Sequence, residues 1–160
     1  VIKDPLTGLL NRRGFDQAVE QLRSTGPAMT TASLLMLDLD HFKRVNDKYG
    51  HQFGDQVLGA TAKVLNSVIK GRDLAARFGG EEFVVLLPQT SIEQAQTILT
   101  RLQRKLSGGL FLHEDKDVFV TFSAGVTDYR PGEALEATLE RADQALYEAK
   151  RTGKNRTCIG

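Results

Sequence analysis

Carboxylates stand in this chain at two places where a fold can expose them. Asp38-Leu39-Asp40 closes the apolar run that starts at Ser33, and Gly79-Gly80-Glu81-Glu82 lies between the apolar runs Leu74 to Phe78 and Phe83 to Leu87. The second segment reads as a hairpin. Paired glycines permit a tight turn with positive φ and clear side chains away, so that a bulky ligand can approach the main chain. A hairpin that serves structure alone needs only Asn-Gly or Asp-Gly with polar flanks, so consecutive acids ahead of Phe83 and Val84 point to chemistry. The plain alternative is a surface turn with solvated glutamates.

On a strand, Asp38 and Asp40 fall on one face and Leu39 on the other, and carbonyls near a strand end are often free of ladder bonds. If the hairpin pairs beside this strand, Asp38, the Leu39 carbonyl and Glu81 or Glu82 supply part of a hard oxygen shell. Phosphate and water would complete it, as Mg²⁺ prefers. Zinc would want His or Cys, and none of His41, His51 and His113 sits at ligand spacing from another His or a Cys. His41-Phe42-Lys43-Arg44-Val45-Asn46-Asp47 follows at once, opening a helix whose free N–H groups and positive end attract phosphate, with Lys43 as a mobile charge. Asn46 and Asp55 offer the amide and carboxylate that a guanine edge requires: the carboxylate accepts from N1 and N2, and the amide serves O6 and N7. The same two residues also describe a helix cap and a surface polar group. Lys150 and Lys154 are cations at the end of the last helix, which complement a helix C-terminus by themselves.

The elements that must position these groups follow from periodicity. Asn11 to Arg23 places Phe15, Val19 and Leu22 at helical spacing, and Ser33 to Leu39 suits a strand buried on both faces. Asp40 starts a short helix through Tyr49, and a longer one follows Gly54 with Val57, Thr61, Val64, Leu65 and Val68 on one face. After the hairpin and Pro88, Thr90-Ser91-Ile92-Glu93 matches a capping box for a helix that Gly108-Gly109 ends. Val118 to Val126 alternates as a strand, and a final helix runs from about Ala134 to Arg151, stopping at Gly153. This order predicts an α/β or α+β sandwich: a central mixed sheet with helices packed around it, ferredoxin-like or an elaboration of that fold.

At 160 residues the chain suggests one domain, able to bury roughly 70% of its unfolded surface without disulfides. The single cysteine, Cys158, fits a reducing compartment. A formal net charge of +1 gives no global pull toward nucleic acid or membrane, so any phosphate binding must be local. No apolar run is long enough for a membrane span and no signal segment opens the chain. It begins at Val1 and enters patterned sequence almost at once, as a domain cut from a longer protein would.

These residues resemble the GGDEF family of diguanylate cyclases over nearly the whole length. Asp4-Pro5-Leu6-Thr7-Gly8-Leu9-Leu10-Asn11-Arg12-Arg13 is similar to the family's opening signature. Asp38 to Lys43, with Asn46-Asp47, Gly50-His51 and Gly54-Asp55, is similar to its nucleotide-binding core. Gly79-Gly80-Glu81-Glu82-Phe83 resembles the GGEEF form of the name-giving motif, and Ala142 to Lys150 with Gly153-Lys154-Asn155-Arg156 resembles the closing helix. The resemblance implies a sheet of about five strands, like the palm of nucleotide polymerases and cyclases. It implies condensation of two GTP into cyclic di-GMP and two pyrophosphates across a homodimer, each 3'-hydroxyl attacking the other nucleotide's α-phosphate. By position, Asp38, the Leu39 carbonyl and Glu81 would bind Mg²⁺, with Mn²⁺ as a substitute, and Glu82 would be the general base or share the metal. Asn46 and Asp55 would read guanine with His51 nearby. Lys43, Lys150, Lys154 and the N–H groups around His41 and Phe42 would hold the phosphates, with Gly79 and Gly80 lining the nucleotide's approach.

The resemblance further implies a cytoplasmic location and a catalytic domain, residues 1–160, at the C-terminal end of a longer sensor-containing protein, whether or not that protein is anchored in an inner membrane. The alternative readings are a silent module that binds GTP or cyclic di-GMP, a cyclase of another nucleotide, and a purely structural domain. One position departs from the family. Many members carry an inhibitory Arg-x-x-Asp product site, and Lys70 and Asp73 stand in its place. A lysine cannot make the planar bidentate contacts of an arginine, so product inhibition through this site is expected to be weak or absent.

Overall fold

The computed structural model describes residues 1–24, 29–108, 111–113 and 116–160. In chain order they form α1 (Arg12–Ser24), β1 (Ala32–Leu39), α2 (Phe42–Tyr49), α3 (His51–Val68), β2 (Leu74–Gly79), β3 (Glu82–Leu87), α4 (Ile92–Gly108), β4 (Phe111–His113), β5 (Lys116–Val118), β6 (Phe122–Tyr129), α5 (Leu135–Arg151) and β7 (Thr157–Ile159). Five strands make one mixed sheet in the order β2-β3-β1-β6-β7, while β4 and β5 form a separate ribbon. The β6–β7 pair is parallel, and the other pairs of the main sheet are antiparallel.

The apolar run of β1 is continuous because the strand is central and covered on both sides. Leu35, Leu37 and Leu39 join a core with α2, α3 and α4. Leu34 and Met36 join another with Phe15 and Val19 of α1 and with Leu135, Leu139 and Leu146 of α5. Alternation along the strand therefore assigns each following residue to a helix layer. Among the described residues, no helix is long and apolar enough to cross a membrane.

Two contacts fix α5, which later carries Lys150. A Cβ on Gly125 of β6 would lie 2.1 Å from the Ala142 carbonyl oxygen and 2.5 Å from the Leu146 nitrogen, so only glycine lets the helix backbone approach this closely. At the other end, Arg141 donates to both carboxylate oxygens of Glu133 at 2.7 Å and to the Asp128 carbonyl at 2.7 Å.

Several sequence expectations need correction. The strand predicted over Val118 to Val126 is two elements: Val118 ends β5, Phe119 is 71% exposed, and β6 begins only at Phe122. The alternation at Val118, Val120 and Phe122 reflects a buried connection rather than one strand. The third helix starts at His51, so Gly54 lies in its first turn, and the second starts at Phe42 because Asp40 is taken up by side-chain bonds. The capping box sits one residue later than expected, with Ser91 Oγ accepting from the Gln94 N–H and Gln94 Oε1 accepting from the Ser91 N–H. β4, β5 and β7 are too short for periodicity to reveal. Gly109 and the side chain of His113 lie outside the described residues.

The Arg141 hydrogen bonds pull the Glu133 carboxyl down to about 2. A folded value below the unfolded one contributes stability that is complete above the ordinary glutamate range and disappears as pH falls through the folded value. Glu133→Gln should therefore lower the unfolding free energy by about 2 kcal/mol at neutral pH. The deficit should shrink as pH falls from 4.5 towards about 2 in urea titrations. A deficit independent of pH would remove the ion pair as its source.

Candidate active site

β3 lies antiparallel beside β1 with Glu82 directly opposite Asp38. Opposed residues share a face of the sheet, and their neighbours on that face, Leu34 and Met36 beside Asp38 and Val84 and Leu86 beside Glu82, pack toward α1 and α5. Asp38 and Glu82 thus end the α1–α5 face side by side, both half-buried. The turn between β2 and β3 is made by Gly79 at φ 148° and Gly80 at φ 48°. The Leu39 N–H donates to the Glu81 carbonyl at 3.3 Å, tying the turn to the strand end.

Lys150 reaches this strand end from α5. Its Nζ lies 2.7 Å from Asp38 Oδ1, 3.2 Å from Asp40 Oδ1 and 3.4 Å from the Leu39 carbonyl oxygen. Asp40 is almost fully buried and also accepts from Ser123 Oγ at 2.6 Å, Thr121 Oγ1 at 2.7 Å and the Asn155 N–H at 3.0 Å. Burial alone would raise the Asp40 carboxyl, but these donors and Lys150 outweigh it and hold the group below the usual range. Asp38 goes the other way: burial, with repulsion from Glu81 and Asp40, pushes it up against the pull of Lys150. Burial also raises Glu82, and Asp143, Asp38 and Glu81 add to the shift while Arg12 opposes it.

Among the described residues, no three of His, Cys, Asp and Glu converge closely enough to hold a metal by themselves. The donors that do converge are carboxylate and carbonyl oxygens, and they already hold the cationic head of Lys150. Such hard donors fit Mg²⁺, which takes one or two carboxylates and draws further oxygens from phosphate and water.

α2 starts two residues after Asp40, with His41 between them in the left-handed region at φ 57°. The first bond of this turn runs from the Val45 N–H to the His41 carbonyl, so the N–H groups of Phe42, Lys43 and Arg44 precede the helical ladder. His41 and Lys43 are exposed and Phe42 is buried. At the far end, α2 meets α3 at Gly50, and a Cβ on Gly54 would lie 1.8 Å from Asn46 Oδ1. That oxygen is buried without a hydrogen-bond partner, while His51 and Asp55 are exposed one helical turn apart on α3. Eight residues of α2 place this corner about 12 Å from the acids.

The family model described as "Diguanylate cyclase, GGDEF domain" matches residues 1–156. The chain belongs to the GGDEF-domain diguanylate cyclase family. It is 46% identical over 160 residues to diguanylate cyclase DgcP of Pseudomonas aeruginosa, covering 97% of this chain and 23% of that protein. Among solved structures, diguanylate cyclase SiaD with its activator SiaC, also from Pseudomonas aeruginosa, has a TM-score of 0.92 at 40% identity, covering 99% of this chain and 62% of that one. The coiled coil and GGDEF domain of DgcB from Caulobacter crescentus, in complex with c-di-GMP, gives 0.92 at 35% identity, covering 99% and 85%. The chain spans less than a quarter of DgcP.

Within this GGDEF domain, the structure gathers Asp38, the Leu39 carbonyl, Glu82 and Lys150, with Glu81 close enough to act on the other acids electrostatically. Lys154 follows at φ 64°, partly buried in the loop that Asp40 anchors through Asn155. Lys70 and Asp73 stand apart, in the turn that enters β2. Asp73 Oδ2 accepts from the Lys70 N–H at 3.0 Å, which engages that carboxylate within its own turn. The length of β2 separates this turn from the glycines by about 17 Å.

Sequence reasoning missed Asp40 as the anchor, and it missed Asp143 and Arg12 as the neighbours of Glu82. The signal for Asp40 was present in Thr121 and Ser123, polar residues at the mouth of an apolar strand. It also missed the brace on the turn. Arg77 Nη1 donates to Asp4 at 3.1 and 3.2 Å, and Arg77 Nε donates to the Gly80 carbonyl at 3.0 Å. Both members of the ion pair are 16% exposed, so screening is limited. Arg77→Met should cost about 1–2 kcal/mol, since it leaves the half-buried Asp4 with its Thr7 donors but no cation, and should speed amide exchange at Gly80 and Glu81. Exchange at the wild-type rate would mean that glycine geometry alone holds the turn.

Proposed function

We propose that this domain condenses two GTP into cyclic di-GMP and two pyrophosphates, as one half of a homodimer. The observation that carries the reading is the register of β1 and β3, which sets Asp38 and Glu82 side by side at the start of α2. Asn46 and Asp55, with His51 at their edge, read guanine. Asn46 packs against Gly54 at the corner where His51 and Asp55 are exposed, which supports this reading. The N–H groups at the start of α2, with Lys43, Lys150 and Lys154, neutralise the phosphates. Gly79 and Gly80 keep the approach clear, since a Cβ on either would meet nothing within 4 Å.

Asp38, the Leu39 carbonyl and Glu81 hold Mg²⁺, or Mn²⁺ in its place, which when bound neutralises charge on the transferring phosphate. Glu82 accepts the proton of the attacking 3'-hydroxyl. Its carboxyl is raised above the usual range by burial and by three acidic neighbours, which makes its carboxylate a stronger base than a free glutamate. The rest of the barrier is a matter of positioning and charge, which suits a site built of cations and backbone N–H groups. One chain binds one nucleotide, so the reaction requires a second copy facing the first. We further propose that residues 1–160 act as the catalytic part of a longer protein in which an upstream segment sets that encounter.

Incubating the domain with GTP and Mg²⁺ should yield cyclic di-GMP at a rate that rises faster than linearly with protein concentration. Glu82→Gln should lower the rate by about 10²–10⁴-fold while GTP still binds. GTP bound but unchanged by the wild type, even when dimerisation is forced, would make the domain a silent nucleotide-binding module instead.

Product inhibition through Lys70 and Asp73 should be weak. Adding cyclic di-GMP in the micromolar range should leave the initial rate unchanged. Inhibition in that range that Asp73→Ala abolishes would overturn this reading of the turn.

A further inference from the structure

We propose that Lys150 is a placeholder cation, which keeps the metal position closed until a nucleotide arrives to take the ammonium away. The proposal rests on the Mg²⁺ reading of Asp38 and the Leu39 carbonyl. The Lys150 ammonium touches both of those groups, at 2.7 and 3.4 Å, so it competes with any ion for the same oxygens. Its third contact is different in kind. Asp40 Oδ1, at 3.2 Å, belongs to a carboxylate that is 1% exposed and already saturated by two hydroxyls and a backbone N–H. Asp40 is therefore fixed in place and offers Lys150 a hold that does not depend on Asp38.

An ion arriving alone must expel the ammonium from Asp38 and then sit beside it, like charge against like, in a partly desolvated corner. An ion arriving with a triphosphate meets no such penalty. Lys150 then exchanges one carboxylate for phosphate oxygens while Asp40 keeps the side chain at the strand end. Ion and nucleotide should thus each raise the affinity for the other by the same factor, as linkage requires. Lys150 so becomes the element that couples them, in addition to neutralising phosphate.

The test measures Mn²⁺ binding by electron paramagnetic resonance, without nucleotide and with a non-hydrolysable GTP analogue, in the wild type, Lys150→Met and Lys150→Gln. Circular dichroism checks that each variant is folded, and the glutamine variant keeps a polar head should the methionine variant misfold. Without nucleotide, removal of the ammonium should tighten Mn²⁺ binding by about tenfold, and the gain on adding the analogue should shrink by a similar factor. Mn²⁺ binding that is unchanged or weaker in both variants, including none by any protein across the millimolar range, overturns the proposal. Asp38→Asn run alongside separates the two readings. If it abolishes Mn²⁺ binding in the presence of the analogue while the Lys150 variants bind no tighter, only the placeholder role falls. If it leaves that binding intact, the metal position itself has been misassigned.

Discussion

Buried carboxylates repel one another and lose hydration, and this domain concentrates them at the end of its central strand. Asp38, Asp40, Glu81 and Glu82 act on one another there, and two of them, Asp38 and Glu82, are pushed above the ordinary range. Such a cluster is tolerable only if each charge is hydrogen-bonded or faces a cation. The fold answers differently for each acid. Asp40 is saturated by donors from Thr121 just before β6, from Ser123 of β6 and from the loop before β7, and its carboxyl is held below the usual range. Asp38 relies on one mobile ammonium. The difference separates an acid that serves as an anchor from one that can change partners.

The surrounding elements can be read as devices for keeping this arrangement in register. The antiparallel ladder from Ser33 opposite Leu87 to Asp38 opposite Glu82 is without a shift, so the acids are placed by six consecutive pairs rather than by loops. A one-residue slip of either strand would turn its acid onto the other face and separate the two. α5 must lie close enough for a lysine to reach across the strand end, which Gly125 permits by letting the helix backbone rest on β6. The turn itself is held by Arg77 of β2, which is in turn held by Asp4 from outside the sheet, so the N-terminal arm and the acids share one chain of contacts. Arg77 also lies at the bulge where β2 loses register with β3, which is where a turn most needs a brace.

Much of this was legible in the sequence, for reasons that differ between elements. β1 and the hairpin announced themselves because a central strand must be apolar on both faces and glycines must mark a tight turn, and the pairing between them, which a shared oxygen site had as its condition, is present. Asp38 and Glu82 stood out because acids at the end of an apolar strand and beside a glycine turn are exposed by the fold, whereas Asn46 and Asp55 by themselves fit a cap and a surface polar group equally well. The residues that escaped act through distant partners: Asp40 with Thr121 and Ser123, Arg77 with Asp4, Glu82 with Asp143. No local pattern encodes a contact across eighty residues of chain. The connection from Phe119 to Thr121 misled for a related reason, since its buried Val120 serves a core while its backbone serves no ladder. Only the third dimension tells buried coil from strand.

Asp38 and Glu82 lie side by side on one face of the sheet, yet their surroundings differ. Asp38 looks toward Lys150 and, past it, to the start of α2, where the cations and free N–H groups collect. Glu82 looks away from them, into a cleft it shares with Arg12, Phe78, Glu140 and Asp143, where Arg12 stacks 4.9 Å over the Phe78 ring. A phosphate drawn to the cationic side has no reason to enter that acidic cleft, whereas a neutral hydroxyl has no electrostatic barrier to it. Under the proposed reaction, the field around the two acids would favour the electrophile on one side and the nucleophile on the other. That asymmetry is what a site must have if one chain binds the phosphate to be attacked and deprotonates a hydroxyl that another chain delivers.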